Sequence, residues 1–439
     1  MYFQEELETM PREQLRELQL KRVQDLVKYV YERVPLYTER FDNAGVKPED
    51  LKTLDDLLKF PFTVKQDLRD SYPFGMFAVP MDQVSRIHCS SGTTGTVSVV
   101  GYTKHDLDEW SDCFARWVVG SGCGAGSPMQ VAYGYGLFTG GLGAHSGGEK
   151  AGCAMVPTST GNTKRQVRLL SDFGVQCLAC TPSYALTIAD KALEMGYQPD
   201  DFQLKSAILG AEPCSEGMRQ EIQEKLGCKV YDVYGLSEIM GPGVACECGE
   251  QHGLHMCEDK FIMEIVDPQT FEPVPDGEWG ELVITTLTKE CSPLVRYRTR
   301  DLTRILPGEC SCGRTGRRID RIQGRTDDML IIRGVNVFPL QFAQVISEFE
   351  EVTSYYQVIL TTKGALDKVE LNVETVKDFP FDEIRKLQDL EHRIETALKN
   401  NLQVAVDVKI VEPMTIPRVE GKAKRIIDKR GEEQPCSTN

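Results

Sequence analysis

The chain reads as an α/β protein: a large N-terminal domain with parallel sheets and a barrel-like β subregion, plus a small α+β C-terminal domain. Three observations predict this. Short apolar strands alternate with helices over residues 175–233, the pattern of a parallel sheet. Strand signals then dominate residues 261–306, with turns at Asp267-Pro268 and Pro275-Asp276-Gly277, which predicts an antiparallel or barrel-like unit. After Gly324-Arg325-Thr326-Asp327-Asp328 the texture becomes a compact helix–strand mixture of about a hundred residues, a common domain size. We place the boundary at Asp327, giving domains 1–326 and 327–439.

The elements follow in order. Leu15, Leu18, Leu20, Val23, Leu26, Val27 and Val30 have the spacing of an amphipathic helix over 11–39, broken by a turn at Val34-Pro35. Residues 84–89 and 97–102 read as two strands. Between them stands Ser90-Ser91-Gly92-Thr93-Thr94-Gly95-Thr96. Residues 106–119 read as a helix. The strand 175–179 is stopped by Thr181-Pro182, and 183–195 is helical. The strand 207–209 ends in Gly210-Ala211-Glu212-Pro213, followed by a helix over 215–226 and a strand over 230–233. Strands follow at 261–266, 280–286 and 303–306. The small domain reads as helix 340–350, strands near 355–361 and 368–375, helix 382–400 and strand 404–411. Residues 431–439 form a polar tail.

Composition narrows the class. A hydrophobic share of 41% and a charged share of 26% are globular values over 439 residues. A run of 18 apolar residues is missing, so no membrane span is expected. The first 24 residues lack the apolar core of a signal peptide, so a cytoplasmic protein is expected. Fifteen cysteines there would be free thiols or metal ligands. The net charge of −16 argues against nucleic acid as a partner. Anionic small molecules would have to be held by local groups.

The 90–96 run packs five hydroxyls and two glycines into seven residues. Glycine permits close backbone approach, and successive N–H groups make an anion-binding concavity. A polar hairpin turn is the plain alternative. The strand context excludes a Walker loop, which needs a Lys and a following helix. Other glycine-marked strand ends join it. Gly210-Ala211-Glu212-Pro213 and Asp232-Val233-Tyr234-Gly235-Leu236-Ser237-Glu238 close neighbouring strands, where open α/β sheets bind ligands. They supply an aromatic ring for a base and carboxylates for a metal or a hydroxyl. Asp301 adds a carboxylate that would grip ribose, unless it merely pairs with Arg298 or Arg300. Lys422 in Gly421-Lys422-Ala423-Lys424 would supply a mobile cation, or be an ordinary surface lysine. Glu238 is one of these carboxylates, or caps a helix starting after Gly235.

In order and spacing this set resembles the adenylate-forming superfamily of acyl-CoA synthetases, and within it the phenylacetate–CoA ligase family. The similar text runs from Met10-Pro11-Arg12-Glu13 through Tyr133-Gly134-Tyr135-Gly136-Leu137-Phe138-Thr139-Gly140-Gly141 and Tyr234-Gly235-Leu236-Ser237-Glu238 to Gly324-Arg325-Thr326-Asp327-Asp328 and Ile416-Pro417-Arg418-Val419-Glu420-Gly421-Lys422. The resemblance implies ATP-dependent ligation of an aryl-acetic acid to coenzyme A through an acyl-adenylate, releasing AMP and pyrophosphate. Ser90, Ser91, Gly92, Thr93, Thr94, Gly95 and Thr96 would cradle the ATP phosphates. Gly210, Ala211, Glu212, Pro213, Asp232, Tyr234, Gly235 and Ser237 would line the rest of the nucleotide site. Asp301 would hold ribose, with Arg325 supporting it. Lys422, Glu238 and Thr94 would be catalytic, with Mg²⁺ on Glu238. Asp327 would be the hinge for rotation of the small domain between half-reactions. One departure stands out: the family follows Gly-Thr-Thr-Gly with Lys-Pro, and here Thr96-Val97 stand instead.

A cysteine–histidine set is separate. Cys246, Cys248, His252, His255 and Cys257 precede Cys310-Ser311-Cys312. Thiolate and imidazole suit tetrahedral Zn²⁺, although C-x-C is tighter than the usual spacing and free surface thiols are the alternative. The resemblance selects Cys248, His255, Cys310 and Cys312 as a closed structural site, with Cys246, His252 and Cys257 as substitutes. For the acid, Tyr135 and, by resemblance, a flanking Tyr133 and Phe138 would form the pocket, or simply be core. The glycines at 134, 136, 140, 141 and 143 would let a ligand approach the backbone. The expected cofactors are ATP, Mg²⁺, coenzyme A and structural Zn²⁺. The expected partners are small molecules (aryl acid, ATP and coenzyme A), not nucleic acid or membrane, and a second copy of the chain in a homodimer. Two rival functions are transfer of the adenylated acid to a carrier-protein thiol, and an inactive nucleotide-binding scaffold.

Overall fold

The structure, a computed structural model, describes residues 1–90, 97–333, 335–363 and 366–430. Ser91, Gly92, Thr93, Thr94, Gly95 and Thr96 therefore lie outside the described residues, as does the 431–439 tail. Among the described residues, no helix is long and apolar enough to cross a membrane.

The centre is a nine-stranded mixed sheet. Its parallel half runs Ala154–Val156, Pro128–Val131, Cys177–Cys180, Ser206–Gly210, Lys229–Leu236. Gly241–Glu247, Leu254–Met256, Arg318–Ile319 and Ile305–Leu306 extend it antiparallel. Strands Cys177–Cys180 and Ser206–Gly210 are buried throughout, as expected where helices cover both faces. Successive residues serve opposite cores. Cys177, Ala179 and Ile208 pack with Trp110 and Phe114 of helix Lys104–Gly120. Leu178, Cys180, Ala207 and Leu209 pack with Tyr184 and Ile222 of helices Pro182–Glu194 and Glu216–Leu226. The period-2 alternation of a strand produces this division.

Helix Thr139–Lys150 was not expected, because glycine is a poor helix former. A Cβ at Gly143 would sit 2.2 Å from Trp110 and one at Gly147 2.4 Å from Phe114. Gly143 is thus spent on close helix packing, and Gly141 on the backbone at Gly134, 2.6 Å from its would-be Cβ.

The barrel-like expectation for 261–306 is corrected. Phe261–Val266, Gly280–Thr286, Tyr297–Thr303 and Gly324–Arg325 form a four-stranded antiparallel sheet whose end strands do not pair with each other. Closure depends on first-to-last pairing, which alternation and turn signals do not encode. The two strands expected on either side of residues 90–96 form as Arg86–Cys89 and Val99–Tyr102, and they pair antiparallel.

After a short hairpin of Leu330–Ile332 with Val335–Val337, the C-terminal part builds its own core. Strands run in the order Asp407–Val411, Leu366–Thr375, Val352–Lys363, Ile426–Asp428. Helices Pro339–Ile346 and Ile384–Leu402 contribute Phe342, Ile346, Leu390, Ile394 and Leu398 to that core. The parallel edge strand Ile426–Asp428 follows directly on the Lys422 segment and anchors it.

Candidate active site

The site forms where the parallel strands end. Strand Ser206–Gly210 runs so close to its neighbour that a Cβ at Gly210 would meet the Val233 carbonyl oxygen at 2.2 Å. Ala211 then takes φ +73°, a left-handed conformation that costs a non-glycine residue about 1–2 kcal/mol. Strained backbone of this kind collects at ligand sites. In the next strand, a Cβ at Gly235 would lie 1.8 Å from the Gly241 carbonyl oxygen, so only glycine permits the tight return into Gly241–Glu247. Glu238 therefore sits in a strand-to-strand turn. No helix begins after Gly235, which removes the capping role considered for Glu238.

Glu238 is 5% exposed, and its Oε1 accepts no hydrogen bond. The Lys65 ammonium lies 3.1 Å from that oxygen, in an ion pair without hydrogen-bond geometry. An acceptor buried without a hydrogen bond fits a site that receives a divalent cation. Beneath it, the buried Lys289 donates to the Glu238 and Ile239 carbonyls at 3.1 and 2.8 Å and faces the Tyr102 ring at 4.9 Å. Burial brings the Lys289 ammonium down to about 8. Ser237 Oγ lies 3.1 Å from Thr139 Oγ1. Ser90 Oγ accepts from the Ser98 amide at 3.3 Å.

Tyr234 donates to Asp301 at 2.6 Å, and Arg325 lies 3.7 Å from the same carboxylate. Burial outweighs the arginine and raises Asp301 to about 6. Asp301 is not spent on its neighbours: Arg298 pairs with Glu281 instead, at 2.7 Å. Asp232 is pushed up by burial first and by the Glu247 carboxylate second. Glu247 is gripped by Arg219 at 2.6 and 2.7 Å. Arg325 forks onto Asp327 at 2.8 and 3.0 Å, holding the residue assigned as the hinge.

Lys422 arrives from the other domain. Its side chain is open to solvent, yet the protein crowding its cleft lowers its pKa. Glu212 and Asp301 oppose that shift, and Arg325 adds to it. Lys422 and Lys65 both act on the Asp328 carboxyl, so cations from the two domains face one space. Sequence reading missed Lys65 and Lys289. Neither stands in a glycine- or hydroxyl-rich motif, and no local signal marks them.

The acid-pocket candidates separate. Tyr133 is buried, with its hydroxyl on the Gly210 backbone and its ring against Gly140. Tyr135 meets His145 Nδ1 at 3.1 Å, while Phe138 is 56% exposed.

Away from this cleft, the structure gathers Cys248, His255, Cys310 and Cys312, with all four ligand atoms within 4.8 Å of one another. Cys248 Sγ lies 3.6 Å from Cys310 Sγ, and Cys312 Sγ 3.4 Å from His255 Nε2. Sulfurs about 3.8 Å apart suit tetrahedral bonds of about 2.3 Å. His255 Nδ1 meets the Gly316 carbonyl at 3.2 Å, which leaves Nε2 for a metal. Cys246, His252 and Cys257 fall outside this group. His252 faces Arg318 and Cys257 the Gly243 carbonyl. The loop also ties down the N-terminus, since Tyr2 donates to the Cys312 carbonyl at 2.6 Å and Arg314 pairs with Glu8 at 2.8 Å.

Fold and site together define an AMP-forming acid–CoA ligase. Residues 7–287 match the AMP-binding enzyme family and residues 334–430 the AMP-binding enzyme C-terminal domain. The chain is 49% identical over 445 residues to the phenylacetate-coenzyme A ligase of Thermus thermophilus, covering 98% of this chain and 100% of the relative. It is 48% identical over 426 residues to that of Escherichia coli, covering 97% of each. The chain belongs to the phenylacetate–CoA ligase family of adenylate-forming enzymes. It also superposes on 2-hydroxyisobutyryl-CoA ligase, at 29% identity. With 2-HIB-AMP in the postadenylation state of that ligase, the TM-score is 0.91, over 96% of this chain and 91% of the other. With 2-HIB-AMP and CoA in its thioesterification state, the TM-score is 0.72, over 97% and 92%.

Proposed function

We propose that this ligase activates an aryl-acetic acid of the phenylacetate type, with residues 1–326 binding ATP and acid and residues 327–439 delivering Lys422. The adenylation step rests on the convergence of Glu238, Asp301 and Lys422, from three separate elements and two domains, on one cleft, and the acid class on the 49% and 48% identity to phenylacetate-coenzyme A ligases.

The acid's carboxylate oxygen attacks the α-phosphorus of ATP, and the bond to pyrophosphate breaks. The thiol of coenzyme A then attacks the acyl carbon, losing its proton, and AMP leaves. Negative charge on the phosphoryl oxygens grows in the first step, so catalysis is positioning plus electrostatic stabilisation. Lys422 meets that charge from the small domain. Asp301, oriented by Tyr234, accepts hydrogen bonds from the ribose hydroxyls, and Arg325 keeps it ionised. Ser90, with Ser91, Gly92, Thr93, Thr94, Gly95 and Thr96, offers hydroxyls and N–H groups to the phosphates. Glu238 would hold Mg²⁺, which when bound neutralises phosphate charge. Lys289 fixes the backbone that aims Glu238. Asp327 is the hinge. Tyr133, Tyr135 and Phe138 border the acid.

Cys248, His255, Cys310 and Cys312 would hold Zn²⁺ as a structural tie, with no open position for chemistry. The test is AMP release with ATP and coenzyme A across a panel of acids. Phenylacetate and related aryl acids should outpace acetate and palmitate. Preference for palmitate or acetate over every aryl acid would overturn the acid assignment.

A further inference from the structure

We propose that Glu212 is a positioning residue that bridges the two domains and fixes the Lys422 loop over the site for adenylate formation. It rests on the two-step reading above. Glu212 Oε1 accepts from the Ser183 amide at 2.6 Å, in the first turn of helix Pro182–Glu194 of the large domain. Its Oε2 accepts from the Ala423 amide at 3.0 Å, one residue beyond Lys422 in the small domain. Both oxygens of this carboxylate are thus engaged with backbone donors, one from each domain. Glu212 belongs to the strand end that the sequence assigned to the nucleotide, and its side chain turns toward the domain junction.

The loop is held on both sides of Lys422. Thr181 donates to the Gly421 carbonyl at 3.1 Å and Thr187 to the Val419 carbonyl at 3.2 Å. Among these three ties, Glu212 alone is charged, and hydrogen bonds to ionised acceptors are the stronger kind. Glu212 also favours the charged forms of Lys422 and Arg425. These contacts belong to a domain arrangement that superposes at 0.91 on the postadenylation state of the related ligase and at 0.72 on its thioesterification state.

The test is Glu212→Gln, whose single acceptor oxygen forces an amide NH₂ against one of the two backbone N–H groups. Acid-dependent exchange of pyrophosphate into ATP should fall about tenfold or more in rate, with the KM for ATP changed less than about twofold. Thioester formation from supplied acyl-adenylate and coenzyme A should keep its rate. Hydrogen exchange of a peptide spanning 418–424 should accelerate. Glu212→Asp, too short to reach both partners, should show the same selective loss and serves if the glutamine variant is poorly soluble. Equal loss in both half-reactions, unchanged exchange, or a raised KM for ATP at full turnover would each overturn the proposal. Wild-type protein that exchanges pyrophosphate with no acid would instead overturn the ligase reading beneath it.

Discussion

The hydroxyl of Tyr234 donates to the carboxylate of Asp301 at 2.6 Å, tying the end of a parallel strand to the end of an antiparallel one. The two residues lie 67 positions apart. Their contact places a hydrogen-bond acceptor where the two sheets meet.

Asp301 should make nucleotide binding pH-dependent. Burial raises its carboxyl to about 6, with Arg325 offsetting only part of the effect. As pH falls through 6 the carboxylate gains a proton, loses acceptor capacity, and the KM for ATP should rise. Folding responds in the opposite sense. A raised carboxyl favours the folded state at low pH, and that stability is lost as pH climbs from about 4 to about 6. At neutral pH the ionised group therefore costs on the order of 3 kcal/mol. Asp301→Asn should raise the melting temperature while weakening ATP binding, measurable by thermal scans and ATP titration. A variant that loses both stability and affinity would make Asp301 a structural residue.

Lys422→Ala should suppress adenylate formation about 10²–10³-fold and spare thioesterification of a supplied acyl-adenylate. Asp327→Pro should show the reverse, because proline fixes φ and blocks rotation at the hinge. Half-reaction assays on the two variants should thus give opposite profiles. Equal losses in both steps for either variant would strip that residue of its role.

Purified protein should carry about one zinc per chain, read by elemental analysis without chelator in the buffers. Cys310→Ser should lower the melting temperature, since bound metal adds to folding free energy. Because Tyr2 and Glu8 bond to the same loop, proteolysis near the N-terminus should quicken in that variant. Metal-free protein with unaltered melting in the serine variant would place Cys310 outside any site.

Phe138→Ala should raise the KM for phenylacetate and leave that for ATP nearly unchanged. A contact made equally in ground and transition states alters KM and not kcat. One methylene in an apolar pocket discriminates by only about 1–3 kcal/mol, so related aryl acids should also react. Parallel kinetics with phenylacetate and ATP as varied substrates would check it. An unchanged KM for the acid would leave exposed Phe138 as surface.

The sequence was most legible where chemistry is local. The alternation over 175–233 marked the parallel strands, because a strand covered on both faces must be continuously apolar. Gly210 and Gly235 stood out, and the structure gives each a backbone oxygen that leaves no room for a Cβ. Helix Thr139–Lys150 was hidden because its glycines oppose helix propensity, and only the rings of Trp110 and Phe114 explain them. Lys65 and Lys289 were hidden too, since a lone lysine carries no local sign of the carboxylate or carbonyls it will meet.

By itself the sequence determined the kinds of group present, their order, and the division into an α/β body and an α+β appendage. These depend on periodicity and residue chemistry, which act over a few neighbours. Only the tertiary structure decided which of seven cysteines and histidines meet around one point, that the 261–325 strands stay an open sheet, and that Glu212 accepts from both the Ser183 and the Ala423 amides. Those outcomes are distances between residues far apart in the chain. They are set by how whole helices and sheets pack, and no short stretch of residues encodes them.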